Sequence, residues 1–257
     1  MSQAAKVILD RVTKVYETDK EPVTAVADVR LSVGEGEVVA IVGPSGCGKT
    51  TILNLVAGFV QPTEGCVLVD GQPPVPGRSS VAVVFQADSV FPWMTVYENI
   101  GYGLQFNGTA PRDSAATVDR HLVQVGLAGF GRRWPRELSG GMRKRVDLAR
   151  AYAANPDVLL LDEPFGSLDV LTKEEMQILF VRTWAEENKP AIFVTHDVEE
   201  AIFVSRRVAV MTPRPGGIKA VFDVSFGRRR DSSVRLTPEF LELRRLITAS
   251  ISPAAKG

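Results

Sequence analysis

The sequence is short of cysteine, of long apolar runs and of net charge, and each shortage excludes a class of protein. Its two cysteines, Cys47 and Cys66, give neither a disulfide framework nor a zinc-ligand spacing, which suits a reducing cytosol. Lysine plus arginine equals aspartate plus glutamate at 30 each, so no global field gathers nucleic acid or an anionic membrane. No apolar stretch approaches the ~20 residues that cross a bilayer, and any membrane role is expected to be peripheral. The opening MSQAAKVILDRV has only a short apolar stretch before Asp10, so no signal peptide is expected. What remains is an ordinary globular composition, 45% apolar and 23% charged over 257 residues, long enough to bury a sizeable core.

Four short apolar stretches stand out: EVVAIVG (37–43), VAVVFQ (81–86), DVLLLDE (157–163) and AIFVTHD (191–197). Each is β-rich and nearly continuous rather than alternating, as expected of strands buried on both faces of a parallel sheet. Each ends in polar residues, at the carboxyl edge where open α/β sheets bind ligands. The predicted fold is therefore α/β, with a doubly wound, mostly parallel sheet. Residues from about 5 to 36 alternate in part and read as antiparallel strands beside the first parallel one. Residues from about 87 to 155 read mainly as an inserted helical subdomain, with Met142, Val146, Ala149 and Ala153 on one helix face. The expected organisation is a single domain: a core with its β subdomain over about 5–86 and 156–220, the helical insert, and a strand and helix extension over about 221–257.

Gly43-Pro44-Ser45-Gly46-Cys47-Gly48-Lys49-Thr50 fits G-x-x-x-x-G-K-[ST] after a predicted strand, which is the context the motif requires. Glycines let successive N–H groups turn towards phosphate oxygens, and the following helix offers its positive end. Lys49 is expected to reach the β- and γ-phosphates, Thr50 to ligate Mg2+, and Thr51 to complete the nucleotide-binding set. Cys47 reads as a small residue that fits the loop.

Asp162, ending DVLLLD, is placed to hold the Mg2+ shell, and Glu163 to polarise an attacking water. Gln86, ending VAVVFQ, is placed to ligate Mg2+ and sense the γ-phosphate. His196 ends a strand of the same sheet; it reads either as a structural histidine or as one reaching the γ-phosphate or the water. Tyr16 reads either as packing or as a stacking face for a base.

LSGGM, at Leu138, Ser139, Gly140, Gly141 and Met142, forms the mouth of a second helix. Ser139 can cap it and leave N–H groups and a dipole aimed outwards. No lysine or metal ligand completes an anion site there. A capped helix start explains Ser139 but leaves two adjacent glycines unused, and glycines weaken a helix. The segment is expected to close on nucleotide held by a second copy of the chain.

In this order the motifs resemble those of the ATP-binding subunit of an ABC transporter: Walker A at 43–50, the Q-loop at Gln86, the signature at 138–142, Walker B at 158–163, the D-loop GSLD at 166–169 and the switch His196. The resemblance covers nearly the whole chain. It implies two subunits sandwiching two ATP molecules, with Glu163 as base, His196 as γ-phosphate switch, Asp169 as communicator between sites and Tyr16 stacked on adenine. LSGGM, DEPFGSLDVLT and the tail RRRDSSVRLTPEFLELRRLI look most like the nitrate/sulfonate/taurine importer group. The chain ends soon after that tail, so the extra regulatory domain of sugar-importer relatives is not expected. That likeness implies transmembrane permease subunits, an extracytoplasmic solute-binding protein, no nucleic acid, and a place on the cytoplasmic face of the membrane. VFQADSVFPWMTVYENI (84–100) looks like the segment that holds a coupling helix of the permease; read without the family, its aromatics are core. Lys144 stands where the group usually has glutamine, a departure one turn beyond the glycines that leaves the resemblance intact. RRR at 228–230 reads as a solvated face.

A soluble ABC ATPase of DNA repair or translation is the alternative. Only about fifty residues separate Gln86 from Leu138, there is one Walker A, and the net charge is zero, all of which disfavour it. A lone P-loop kinase or GTPase leaves LSGG and His196 unexplained, and an evident guanine-reading N-K-x-D is lacking. A non-hydrolytic binding module is at odds with an intact Glu163.

Overall fold

The continuous apolar runs form strands with both faces covered. A computed structural model describes residues 5–77, 80–106 and 111–251. In chain order the elements are β1 (Ala5–Tyr16), β2 (Val23–Gly34), β3 (Val38–Val42), α1 (Lys49–Val56), β4 (Glu64–Val69), β5 (Val81–Val84), α2 (Val96–Gly101), α3 (Pro111–Gln124), α4 (Gly140–Ala153), β6 (Val158–Asp162), α5 (Val170–Glu187), β7 (Ala191–Val194), α6 (Val198–Val204), β8 (Arg207–Met211), β9 (Ile218–Asp223) and α7 (Pro238–Ile251). Six strands form one sheet in the order β5-β6-β7-β3-β8-β9. All its pairs are parallel except β8 with β9 at the edge. Every residue of β3 is buried. Val38, Ala40 and Val42 face one apolar layer, and Val39 and Ile41 face the other, which is why the stretch does not alternate.

All four expected strands lie in this sheet. The 5–36 region differs from expectation. β1 and β2 do pair antiparallel, but in a separate three-stranded sheet, β2-β1-β4, not beside β3. Their inward residues Val7, Leu9, Val29 and Leu31 share an apolar layer with Ile52 and Leu55 of α1. The two sheets meet at the loop between β8 and β9, where Ala27 N–H donates to Gly216 O (2.9 Å) and Gly216 N–H to Ala25 O (3.0 Å). A Cβ on Gly216 would stand 1.8 Å from the Cys47 carbonyl oxygen, so only glycine allows the loop to pass there.

Between β5 and β6, α2, α3 and α4 pack together. Thr95 and Glu98 form a reciprocal cap at the start of α2, which satisfies two otherwise orphaned N–H groups. Val146, Ala149 and Ala153 are buried along α4, and Met142 packs half-buried against the same layer. The arginine run departs from a solvated face. Arg230 donates to Ile202 O and Ser205 O at 3.0 Å each, closing the end of α6, and burial pulls its guanidinium down to about 10.

His121 of α3 is fully buried. Its Nε2 lies 3.0 Å from Arg120 Nη2, and its Nδ1 2.8 Å from Gln124 Oε1. A guanidinium can only donate, so Nε2 accepts and Nδ1–H donates, which makes the ring neutral. Burial holds His121 below its ordinary value, with the Arg120 charge adding to it and the Gln124 bond opposing it. Above the unfolded value of about 6.5 the two states bind protons alike; below it the unfolded chain takes up a proton that the folded chain refuses. Between pH 7.5 and 5.5 the wild-type unfolding free energy from urea titration should therefore fall more steeply than that of His121→Gln, by up to about 1.4 kcal/mol per pH unit below 6.5. Parallel pH profiles would contradict the neutral assignment.

Candidate functional site

The parallel register brings four strand ends to one edge. Ile41 lies level with Val194, Asp162 with Val194, and Val84 with Leu161. The loop after β3, Asp162 and Glu163 after β6, His196 after β7 and Gln86 after β5 therefore emerge together.

Gly43 to Gly48 turn from β3 into α1, with Gly46 and Gly48 at φ of 75° and 99°. A Cβ on Gly48 would lie 2.5 Å from Val26 Cγ1 and 2.9 Å from Ala25 O, whereas one on Gly46 would meet open space. The loop thus rests on β2 along one side and is clear on the other, where an incoming oxyanion would sit. Cys47 is buried, its Sγ 3.9 Å from Met211 Sδ, and burial pushes its thiol up, in accord with a residue chosen for size. Pro44 and Ser45 form the turn, Cys47 N–H returning to Pro44 O (3.3 Å). Lys49 Nζ donates to Gly43 O (2.9 Å) and Pro44 O (3.2 Å), folded back over the loop. Thr51 follows, half-buried, in the first turn of α1.

Thr50 Oγ1 donates to Asp162 Oδ2 across 3.0 Å. Burial raises the Asp162 carboxyl, opposed by the Thr50 bond, while the neighbouring Glu163 charge raises it further. A hydroxyl and a carboxylate this close, at the sheet edge where Gln86 also emerges, offer hard-oxygen donors of the kind Mg2+ takes along with phosphate and water. A cation there would offset the burial cost of the Asp162 charge, so these residues fit the ion.

Glu163 continues the sheet by donating its N–H to Val194 O (2.9 Å) but adopts φ of 43°, a left-handed conformation uncommon for a side chain of this kind. Its Oε2 meets His196 Nδ1 at 3.0 Å. A Cβ on Gly166 would stand 3.6 Å from both Glu163 Oε2 and Gln86 Nε2, so both side chains flank the start of the 166–169 loop. Tyr16 ends β1 half-buried, and the Lys14 ammonium sits 5.1 Å from its ring centroid.

Leu138 is buried, and Ser139 caps α4, its Oγ accepting from Met142 N–H at 3.2 Å. The two glycines part company here. A Cβ on Gly141 would lie 2.5 Å from Thr172 Cγ2, while one on Gly140 would meet nothing nearer than 3.8 Å. Packing within the chain requires Gly141 and leaves Gly140 unexplained. Asp169 caps α5 by accepting from Thr172 N–H (3.2 Å), and hydrogen bonding from Thr172, its side chain first and then its backbone, holds the carboxyl below the usual range.

The aromatics of 84–100 divide. Phe91 is tucked under Arg150 (4.8 Å) and against Tyr102 (4.7 Å), whereas Phe85 and Trp93 are 45% and 68% exposed. Sequence reasoning missed a buried polar cluster joining α4 to residues 85–89, with Lys144 and Asp147 at its centre. The available signal was that Gly141, Lys144, Leu148 and Ala151 recur on one buried face. It also missed Lys173, which donates to Asp197 Oδ2 (2.7 Å) and so ties α5 to the residue after His196.

The family model for the ABC transporter matches residues 26–166. A taurine import ATP-binding protein of Rhizobium johnstonii is 45% identical over 232 residues, covering 88% of each chain. An uncharacterized ABC transporter ATP-binding protein of Methanocaldococcus jannaschii is 40% identical over 94% of this chain and 90% of its own. Among solved structures, the ATP-binding cassette MJ0796, dimeric in a post-hydrolysis state with ADP and Pi, is 32% identical with a TM-score of 0.74, over 86% of this chain and 100% of that one. Fold, motif order and relatives agree: the chain belongs to the ABC transporter family as one of its ATP-binding subunits, and it is an ATPase.

Proposed function

We propose that this subunit energises an importer for a small sulfonate or oxyanion solute, and that it works as a pair of identical chains with two ATP molecules between them. The single observation that carries the pairing is Gly140. It lies beside the capped, exposed Ser139 at a helix start, and among the described residues no atom comes closer than 3.8 Å to a Cβ built there. A second chain's triphosphate approaching that backbone supplies the reason. MJ0796 is dimeric, and several relatives 40–45% identical are named for taurine import, which supports both halves of the reading.

In this account the backbone N–H groups of Gly43 to Gly48 and the Lys49 ammonium hold the β- and γ-phosphates. Thr50, Asp162 and Gln86 hold Mg2+, which supplies charge neutralisation when bound. Glu163 orients the attacking water and takes its proton, an effect worth ~10²–10⁴ in rate. His196 fixes the Glu163 carboxylate through Nδ1 and turns its other nitrogen towards the γ-phosphate. Leu138, Ser139, Gly140, Gly141 and Met142 close on the second chain's nucleotide, Asp169 joins the two sites, and Tyr16 stacks on adenine after Lys14 leaves its ring. Exposed Phe85, next to Gln86 in the chain, and exposed Trp93 meet the permease. No helix among the described residues is long and apolar enough to cross a membrane; the subunit sits peripherally on the cytoplasmic face, and a solute-binding protein delivers from outside.

Three variants test this. Glu163→Gln should bind ATP, lose at least ~100-fold in turnover and elute as a dimer with MgATP in size-exclusion chromatography; a purely monomeric peak would contradict the sandwich. Ser139→Arg should leave ATP affinity of the free subunit within about twofold and cost about 1 kcal/mol in stability through the lost cap, yet abolish turnover. Unchanged turnover removes the signature from the site. In Gly48→Ala the new methyl collides with Val26 at a positive φ, so stability should fall by about 1–3 kcal/mol. Calorimetry should find ATP affinity nearly lost; wild-type affinity would refute the loop's role.

A further inference from the structure

A lysine on the buried face of α4 is bound to the backbone that carries Gln86. The Lys144 side chain is 1% exposed. Its ammonium donates to Phe85 O at 2.9 Å, Gln86 O at 2.8 Å and Ala87 O at 3.0 Å. An ammonium has three N–H donors, and three consecutive carbonyls take all of them. Burial disfavours the charge, while the carboxylates of Asp147 (3.7 Å) and Asp88 (3.8 Å) offset that cost.

The next residues are bound to the same helix. Arg143 Nε donates to Asp88 Oδ2 (2.7 Å), Ser89 Oγ donates to Asp147 Oδ1 (2.9 Å), and Arg150 Nη1 donates to Ser89 O (2.9 Å). Residues 85–89 are thereby fastened along their length to the helix whose N-terminus is Ser139. A glutamine at 144 brings two donors and no charge, so it can hydrogen-bond at most two of these acceptors at once and offsets neither carboxylate charge. The departure from glutamine at 144 therefore changes the local chemistry considerably.

We propose that Lys144 is a positioning residue for Gln86: it fastens the backbone of the metal-binding loop to the signature helix, so that the metal end of one nucleotide site and the Ser139 lid of the other move as one body. This rests on the functional reading above for the roles of Gln86 and Ser139. Because buried polar groups that lose their partners do not relax freely, a shift of the helical segment against the sheet is carried directly to residue 86.

The test uses the full chain in a Glu163→Gln background, with ATP affinity measured by calorimetry in Mg2+ and in EDTA. With Lys144 intact, Mg2+ should tighten ATP binding. Lys144→Gln should cut that tightening on the order of tenfold, as for residues coupled in one hydrogen-bonded network, and leave affinity in EDTA within about twofold. In a Gln86→Ala background the same substitution should have no further effect on the tightening. Asp88→Asn, on the exposed rim of the cluster, is the milder second variant and should reduce the tightening about twofold to threefold.

Equal losses with and without Mg2+, a full Lys144→Gln effect persisting without Gln86, or unaltered tightening in both variants would each overturn the proposal. A parent chain that binds ATP no more tightly with Mg2+ would instead count against the functional reading itself.

Discussion

The structure depends on the parallel hydrogen-bond register of β3, β6 and β7. With Ile41 and Asp162 both level with Val194, phosphate loop, carboxylates and histidine leave the sheet at one height. A slip of one residue would turn each strand's side chains to the opposite face and separate Thr50 from Asp162. Burial of the strands on both sides makes such a slip costly, because every residue of β3 sits in one apolar layer or the other. The hydrophobic core thus serves the chemistry by fixing where it starts.

A second set of constraints comes from close approach. Gly48 against Val26, Gly141 against Thr172 and Gly216 against Cys47 O are places where the backbone passes too near a neighbour for a Cβ. They join the phosphate loop to the small sheet, the signature helix to the D-loop helix, and the β8–β9 loop to the phosphate loop. Contacts this close leave little room for one partner to shift without the other, and Gly141 against Thr172 is the one of the three that involves the helical segment. The buried charges around Lys144 and Asp147 provide a further junction, polar rather than steric, between that segment and Gln86.

Much of this was legible in the sequence because the signals are local. Continuous apolar runs ending in polar residues marked β3, β5, β6 and β7, and motif order pointed to the strand ends that the sheet brings to one edge. The face of α4 followed from the spacing of Met142, Val146, Ala149 and Ala153. The separate sheet of β1, β2 and β4 was not legible, since partial alternation shows that strands pair antiparallel but not which sheet they join. Lys144 was passed over because its acceptors lie 57 to 59 residues away. Arg230 looked like one of three solvated arginines because the carbonyls it closes belong to another element. Pairings set by tertiary contact leave little trace in composition or period.

The central claim is that one chain's signature completes the other chain's phosphate site. Ser45 and Ser139 are both exposed, so each accepts a cysteine for crosslinking in a Cys66→Ser, Glu163→Gln background. Two differently tagged chains, one carrying Ser45→Cys and the other Ser139→Cys, should join through a short bifunctional reagent when MgATP is present and not when it is absent. A yield of the mixed dimer that ignores nucleotide, or none at all with MgATP, would contradict the account.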